Sequence, residues 1–255
     1  MNPPLLRLEH VNRQIGGLRI LNDINLRVEP AEILGLIGPN GAGKTSLFNI
    51  ISGQTAADSG QLYMAEQVIT TLSVSQRARL GMARSFQTSR IFPELSLLDN
   101  LAMAIRIRLG SAYRWWRSKQ SLVSSQALAS ELLQGTPLAT KQEQMAATLS
   151  YGEQRILDVL LCLAQQPQLL LLDEPTAGLS QAESRAVMTL VHTHRHQCSI
   201  LLISHDIDIV MQHCQRVAVL SQGNLLACDT PDRIKRHPLA QQAYLGAAGL
   251  PGVSP

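Results

Sequence analysis

Gly38-Pro39-Asn40-Gly41-Ala42-Gly43-Lys44-Thr45, followed by Ser46, is the stretch on which the fold turns. It fits the pattern G-x-x-x-x-G-K-[ST] at every fixed position. Just before it, residues 33–37 (Ile-Leu-Gly-Leu-Ile) form an apolar run of strand length. Just after it, residues 46–51 continue as a helix to Gly53. A strand, a glycine-rich turn and a helix start place successive backbone N–H groups around an anion, at the positive end of the helix dipole. The glycines let the backbone approach phosphates closely, Lys44 reaches the terminal ones, and the Thr45 hydroxyl is the expected Mg²⁺ ligand. An accidental glycine-rich turn would lack the strand and the helix on its two sides. The stretch therefore reads as a nucleoside-triphosphate site.

Composition bounds the rest. A chain of 255 residues makes one large domain, or one domain with a sub-domain inserted. Hydrophobic residues are 45% and aromatics 4%, so the core is expected to be built from Leu, Ile, Val and Ala. A net charge of +3 falls far short of a nucleic-acid binder's basic stripe, and no nucleic-acid partner is expected. Cys162, Cys198, Cys214 and Cys228 are scattered without a C-x-x-C pair, which suggests neither a disulfide framework nor a zinc site. The opening Met1-Asn2-Pro3-Pro4-Leu5-Leu6-Arg7 lacks the pattern of a signal peptide. No apolar run approaches the roughly 18 residues of a membrane span. The chain is expected to be cytosolic and soluble by itself.

Residues 5–11 and 19–28 read as two strands joined at Gly16-Gly17. Beyond the glycine-rich loop, residues 61–69 give one or two short strands, 73–82 a helix, and 83–87 a strand ending on Gln87. From 88 to about 147 the pattern becomes helical, clearest over 96–109 and over 121–134, which ends at Gly135. Alternation then resumes: helix 150–165, strand 168–172, helix 181–196, strand 199–203, helix 207–214 and strand 216–220. Such alternation means a mainly parallel sheet covered on both faces, with the middle helical block as an insertion. The tail after Cys228 is expected to cap the sheet.

Two more signals carry chemistry. Leu169-Leu170-Leu171-Leu172-Asp173-Glu174-Pro175 is an apolar strand ending in two carboxylates, which delivers both to the sheet edge where ligands sit. Asp173 would hold the Mg²⁺ water shell, and Glu174 would orient or deprotonate the attacking water. One acid at a strand end is commonly just solvated, but here a phosphate loop lies upstream. In Leu149-Ser150-Tyr151-Gly152-Glu153-Gln154, Ser150 and Glu153 have capping-box spacing, and taken alone that is simply a well-capped helix. Yet Gly152 clears space in the first turn, and a capped helix start is a second anion-binding end.

In their order, residues 38–45, Gln87, 149–154, Asp173-Glu174 and Ser204-His205 resemble the full motif series of the ATP-binding cassette (ABC) ATPase family: Walker A, Q-loop, signature, Walker B and switch histidine. The resemblance covers nearly the whole chain. It implies an α/β fold: a P-loop NTPase core of the ABC type, with an antiparallel β subdomain and an inserted α-helical subdomain. Residues 1–87 and 155–229 would form the core, 88–154 the helical subdomain with the signature, and 230–255 a C-terminal tail. It further implies a head-to-tail dimer with ATP between the phosphate loop of one subunit (Gly38, Pro39, Asn40, Gly41, Ala42, Gly43, Lys44, Thr45, Ser46) and Ser150, Tyr151, Gly152 and Glu153 of the other. That explains the second anion-binding helix end. Glu174 would be catalytic, together with His205 on the γ-phosphate and water and Gln87 sensing γ-phosphate and Mg²⁺. Thr45, Gln87 and Asp173 would hold the metal.

Finer resemblance narrows the family. Tyr151 within the signature, Ala83-Arg84-Ser85-Phe86-Gln87 continuing to Ile91-Phe92, Ala177-Gly178-Leu179, and Ala243-Tyr244-Leu245-Gly246 are similar to the branched-chain amino-acid uptake subgroup. Its urea and amide uptake members and the lipopolysaccharide-export ATPase are the neighbouring alternatives. The resemblance implies a peripheral subunit on the cytoplasmic face of the cell membrane. Its partners would be two transmembrane permease subunits, a second ATP-binding subunit (the same chain or a sister) and a periplasmic or extracellular solute-binding protein. A non-transport ABC ATPase is the rival, but ribosome-acting members carry two cassettes and chromosome-type members a long coiled coil, and neither feature is present here.

Other features weigh less. His192, His194, His196 and Cys198 could suggest a metal, but no carboxylate joins them and His194 shares the apolar face of Val187, Leu190 and Val191. Tyr113-Arg114-Trp115-Trp116-Arg117 mixes aromatic and basic residues, as either a membrane-side contact or ordinary packing would. Two positions depart from the family pattern. Ser180 stands where most members have Asp, and Ile15 stands where the family usually stacks an aromatic on adenine. A base stacked on an aromatic ring is worth about 1–3 kcal/mol, of which an aliphatic side chain supplies only part. Wild type is therefore expected to discriminate ATP from GTP poorly, and Ile15→Tyr to bind ATP more tightly by a factor of about three or more. Equilibrium titration of both proteins with both nucleotides checks this, equal affinities placing the base elsewhere.

Overall fold

The computed structural model describes residues 3–85, 91–109 and 119–245. Gln87 and residues 113–117 lie outside that set. The strands divide into two sheets. The smaller contains β1 (Leu6–Ile15), β2 (Leu18–Val28), β4 (Ser59–Met64) and β5 (Gln67–Val68), antiparallel throughout in the order β2-β1-β4-β5. Gly16 and Gly17 close the first hairpin with φ of 55° and 84°, as its turn requires.

The larger sheet holds β3 (Ile33–Ile37), β6 (Met82–Arg84), β7 (Leu169–Asp173), β8 (Ser199–Ile203), β9 (Arg216–Ser221) and β10 (Asn224–Asp229), in the order β10-β9-β3-β8-β7-β6. Every pairing is parallel except β10 with β9. The all-apolar runs read from the sequence are the strands buried on both faces. Their residues part by alternation. Ile33, Ile37, Leu170, Leu172, Ile200 and Leu202 enter one core with the helical block, while Leu34, Leu36, Leu169, Leu171, Leu201 and Ile203 enter the other with the antiparallel sheet.

Helix α1 (Lys44–Ser52) lies in the second core through Leu47, Phe48, Ile50 and Ile51. The helical block contains α3 (Leu97–Arg108), capped by Ser96, and α4 (Lys119–Leu133), which ends before Gly135 at φ 77°. Its apolar face is continuous with the first core, into which α5 (Tyr151–Leu163) and α6 (Gln181–His194) also pack. Between β8 and β9 runs α7 (Ile207–His213). His192 on α6 faces His213 on α7, the ring nitrogens 2.7 Å apart, rather than His196.

Two expectations need correcting. The helix read over 73–82 is only α2 (Val74–Arg79), because Gly81 turns at φ 90° and Met82 already pairs with Leu169 as β6. The sheet does not end at the strand read over 216–220: β10 adds an antiparallel edge, on which α8 (Pro231–Arg236) and α9 (Pro238–Leu245) pack as a cap. The residues of β10 are all half-buried, so no clean alternation marked the strand.

Arg77 on α2 is 2% exposed. Its guanidinium donates to four carbonyls: Leu72 (3.0 Å), Thr70 (3.0 Å), Ile51 (2.7 Å) and Ile50. Two of these acceptors are in the last turn of α1, where carbonyls lack helical partners and the dipole favours a cation. Burial brings the Arg77 pKa down to about 10, which still leaves it charged at neutral pH. Charged hydrogen bonds contribute about 1.5–3 kcal/mol each, and orphaned carbonyls add a penalty, so Arg77→Ala is expected to cost about 3 kcal/mol in urea unfolding, with Arg77→Lys losing less.

Candidate active site

Register sets the site's geometry. Leu36 pairs with Ile203, and Ile203 with Asp173, so one row crosses β3, β8 and β7 at their C-terminal ends. The next residues along each chain, Gly38 onward, Ser204-His205 and Glu174, emerge together at that edge.

The loop of residues 38–43 leaves β3 against β9. A Cβ on Gly38 would sit 2.1 Å from the Leu220 carbonyl, so only glycine fits. Gly41 and Gly43 take φ of 78° and 104°, Ala42 donates to the Pro39 carbonyl (3.2 Å), and Gly223 donates to the Ala42 carbonyl (3.0 Å). Left-handed glycines within such a turn point N–H groups toward a common concavity. Lys44 opens α1 at 6% exposure, its ammonium donating to the Gly38 and Pro39 carbonyls. Burial pulls its pKa below the usual lysine range, while Glu174 and Asp173 push it back up, which places both carboxylates within electrostatic reach of the ammonium. Thr45 is exposed and Ser46 half-buried at the helix start, and Asn40 is exposed at the loop's crest.

Asp173 ends β7 at 3% exposure. Its N–H donates to Ser85 Oγ (3.2 Å), and its Oδ2 accepts from Arg84 Nη2 (3.1 Å). Arg84 also donates to Asn49 Oδ1 (2.8 Å) and Ser52 Oγ (2.9 Å), tying the carboxylate to α1. Nothing local in the sequence marked Arg84. Glu174 follows at φ 50°, its N–H donating to the Ile203 carbonyl (2.9 Å) and its Oε1 lying 2.7 Å from His205 Nε2. The structure thus brings Lys44, Asp173, Glu174 and His205 to one edge.

The signature residues stand at the start of α5. Ser150 and Glu153 form the capping box, Glu153 accepting at the Ser150 N–H (3.0 Å) and Ser150 Oγ at the Glu153 N–H (3.3 Å). The Lys141 ammonium bonded to Glu153 holds that carboxyl below its usual range. Tyr151 is 54% exposed and reaches the Ala177 carbonyl (3.5 Å). Gly152 does leave room, but within the chain Glu183 fills it: a Cβ there would lie 2.0 Å from Glu183 Oε1. Ser180 caps α6 in a box with the same Glu183, a structural use for the side chain standing where the family usually has Asp. Ile15 is 54% exposed at the hairpin tip beside Leu18.

The family model for ABC transporters matches residues 21–177. The chain belongs to the ABC transporter family. It is 37% identical over 255 residues to the high-affinity branched-chain amino acid transport ATP-binding protein LivG of Escherichia coli (strain K12), covering 97% of this chain and all of that one. It is 31% identical to the lipopolysaccharide export system ATP-binding protein LptB of the same strain, over 94% and 97% of the two chains. The fold matches the ADP conformation of MJ1267, an ATP-binding cassette of an ABC transporter, with a TM-score of 0.82, 24% identity and coverage of 96% and 99%. The chain is an ABC ATPase subunit that binds and hydrolyses ATP. No helix among the described residues is long and apolar enough to cross a membrane.

The Arg84–Asp173 pair is nearly dry, with side-chain exposures of 10% and 4%. Arg84→Met strands a buried carboxylate and is expected to cost about 3 kcal/mol, and Asp173→Asn in the same chain should recover part of that. Urea unfolding of the two single variants and the double variant, without nucleotide, measures the coupling.

Proposed function

We propose that the chain hydrolyses Mg-ATP within a head-to-tail pair of cassettes and so powers uptake of branched-chain or related amino acids through separate permeases. The observation that carries the reading is the Glu174–His205 contact at the edge that also holds Lys44. Lys44 already points its ammonium into the loop, bonded to carbonyls it can exchange for the terminal phosphates. Glu174 orients the water and accepts its proton as the water oxygen bonds to the γ-phosphorus and the bond to the bridging oxygen breaks. His205, partnered with Glu174, holds the water and the γ-phosphate. Charge stabilisation by fixed donors, with no covalent intermediate, is the catalytic strategy such a site supports.

Thr45 and Asp173 offer oxygen alone, a hard donor set that fits Mg²⁺. When bound, the metal supplies charge neutralisation on the β- and γ-oxygens. Gln87, by resemblance, senses both metal and γ-phosphate. The loop of residues 38–46 would hold the triphosphate, and Ser150, Tyr151, Gly152 and Glu153 would complete the site of the second subunit, the same chain or a sister.

The amino-acid substrate is inferred from the relative LivG and is read by the assembly's other subunits, a permease pair and a solute-binding protein. The cassette would sit on the cytoplasmic face of the inner membrane. Ile107 on α3 and Val123 and Leu128 on α4 are exposed apolar residues of the helical block, which supports its role as the permease dock. Glu174→Gln keeps the shape but cannot take a proton. It is expected to bind Mg-ATP, to lose hydrolysis by about a hundredfold or more, and to shift toward dimer on sizing with ATP. Near-normal turnover would remove Glu174 from the role.

A further inference from the structure

Glu174 sits in the left-handed region, which residues with side chains leave unless held there. Both of its peptide groups are held. The N–H donates to the Ile203 carbonyl on β8, and the carbonyl accepts from Arg155 Nη2 at 3.3 Å. Arg155 belongs to α5 and is 4% exposed. One turn earlier on the same helix face, the Tyr151 ring centre lies 5.8 Å from the Arg155 guanidinium. The Tyr151 hydroxyl meets the Ala177 carbonyl, and the ring edge lies 3.4 Å from where a Cβ on Gly178 would stand. The first two turns of α5 therefore touch the turn after β7 at residues 174, 177 and 178.

We propose that Arg155 and Tyr151 are a positioning pair that holds the Glu174–Gly178 turn in its working conformation and ties it to the N-terminus of α5. The proposal rests on the reading that Glu174 orients the water and that this helix end meets the second subunit's nucleotide. On that reading the pair gives each site a mechanical link to the other: a shift of the α5 start as ATP docks there moves the Glu174 carbonyl of the same chain. Tyr151 stands where the general signature has glycine, and glycine could supply neither the ring under Arg155 nor the contact on Gly178. Arg155 also suits the task chemically. Its planar guanidinium can donate to a carbonyl while presenting a face to an aromatic ring, which a lysine ammonium does less well.

The test uses the full chain, with ATP as the probe. Arg155→Met is expected to lower kcat by about tenfold while equilibrium ATP affinity and KM change by less than about twofold, and Arg155→Lys, which keeps a donor for the carbonyl but not the planar face, is expected to restore part of kcat. Tyr151→Gly, at an exposed position, keeps the test open if Arg155→Met folds poorly. It is expected to lower kcat by about threefold and bring the Hill coefficient for ATP toward one. A merely structural role would lower the melting temperature and the amount of active protein without splitting kcat from KM, and Arg155→Lys would not rescue. Glu174→Gln separates the two readings. If that variant turns over normally, the assignment of Glu174 fails. If it is inactive while Arg155→Met and Tyr151→Gly keep wild-type kcat and cooperativity, the positioning pair is wrong.

Discussion

The site depends on three parallel strands lying side by side, β3, β8 and β7, in a register that aligns Leu36, Ile203 and Asp173. Neighbouring strands are about 4.8 Å apart, so residues following a shared row start within a few ångströms of one another. A phosphate loop, a histidine and a carboxylate pair from residues 38 to 205 are thereby gathered without any long-range device beyond sheet pairing. A one-residue slip of β7 would carry Leu170 and Leu172 to the face of Leu169 and Leu171, exchanging the two cores. Residues 169–172 are all leucine, so burial alone does not distinguish the slipped register; the slip would be felt at Asp173, carried off its row with Ile203 and away from Arg84 and Ser85.

Burial then shapes the electrostatics. Lys44 and Asp173 are both nearly dry, and a dry charge persists only with partners. Asp173 has Arg84, which in turn bonds Asn49, Ser52 and Gln54, so the carboxylate is tied to the helix that begins at Lys44. Lys44 has two loop carbonyls instead of a bonded carboxylate, and burial lowers its pKa while Glu174 and Asp173 push it back up. The asymmetry suits the roles: the anion is held in place, while the cation rests on neutral acceptors that it can leave for a phosphate.

Much of this was legible in the chain. The phosphate loop, the double-acid strand end and the capping box at Ser150 are local patterns, each fixed by residues within eight of one another. Strands 33–37 and 199–203 lie where the apolar runs placed them, because a strand buried on both faces has no polar alternation to blur its ends. The residues missed share a physical type. Arg77, Arg84 and Arg155 look like solvated cations in a linear reading, yet each bonds a partner 19 to 89 positions away. Only the folded chain shows that Arg77 and Arg155 are buried and Arg84 partly so, and that they are bonded to backbone or to Asp173. Strand β10 escaped for the opposite reason, since an edge strand half-buried throughout carries no period to read.

Ser180 shows how such local and distant terms combine. Its hydroxyl and N–H both bond Glu183, so the residue begins α6, and that contact holds the Glu183 carboxyl below its usual range. The same glutamate lies over Gly152, which needs to lack a Cβ for the two helices to meet there. The turn from Glu174 to Leu179 is therefore closed at its far end by the α6 cap and flanked by the α5 start, with β8 holding the near end through the Ile203 carbonyl. Each contact is weak alone: a cap, a carbonyl bond, a ring against a glycine. Together they leave the backbone at Glu174 few alternatives, which is how a residue with positive φ persists without glycine.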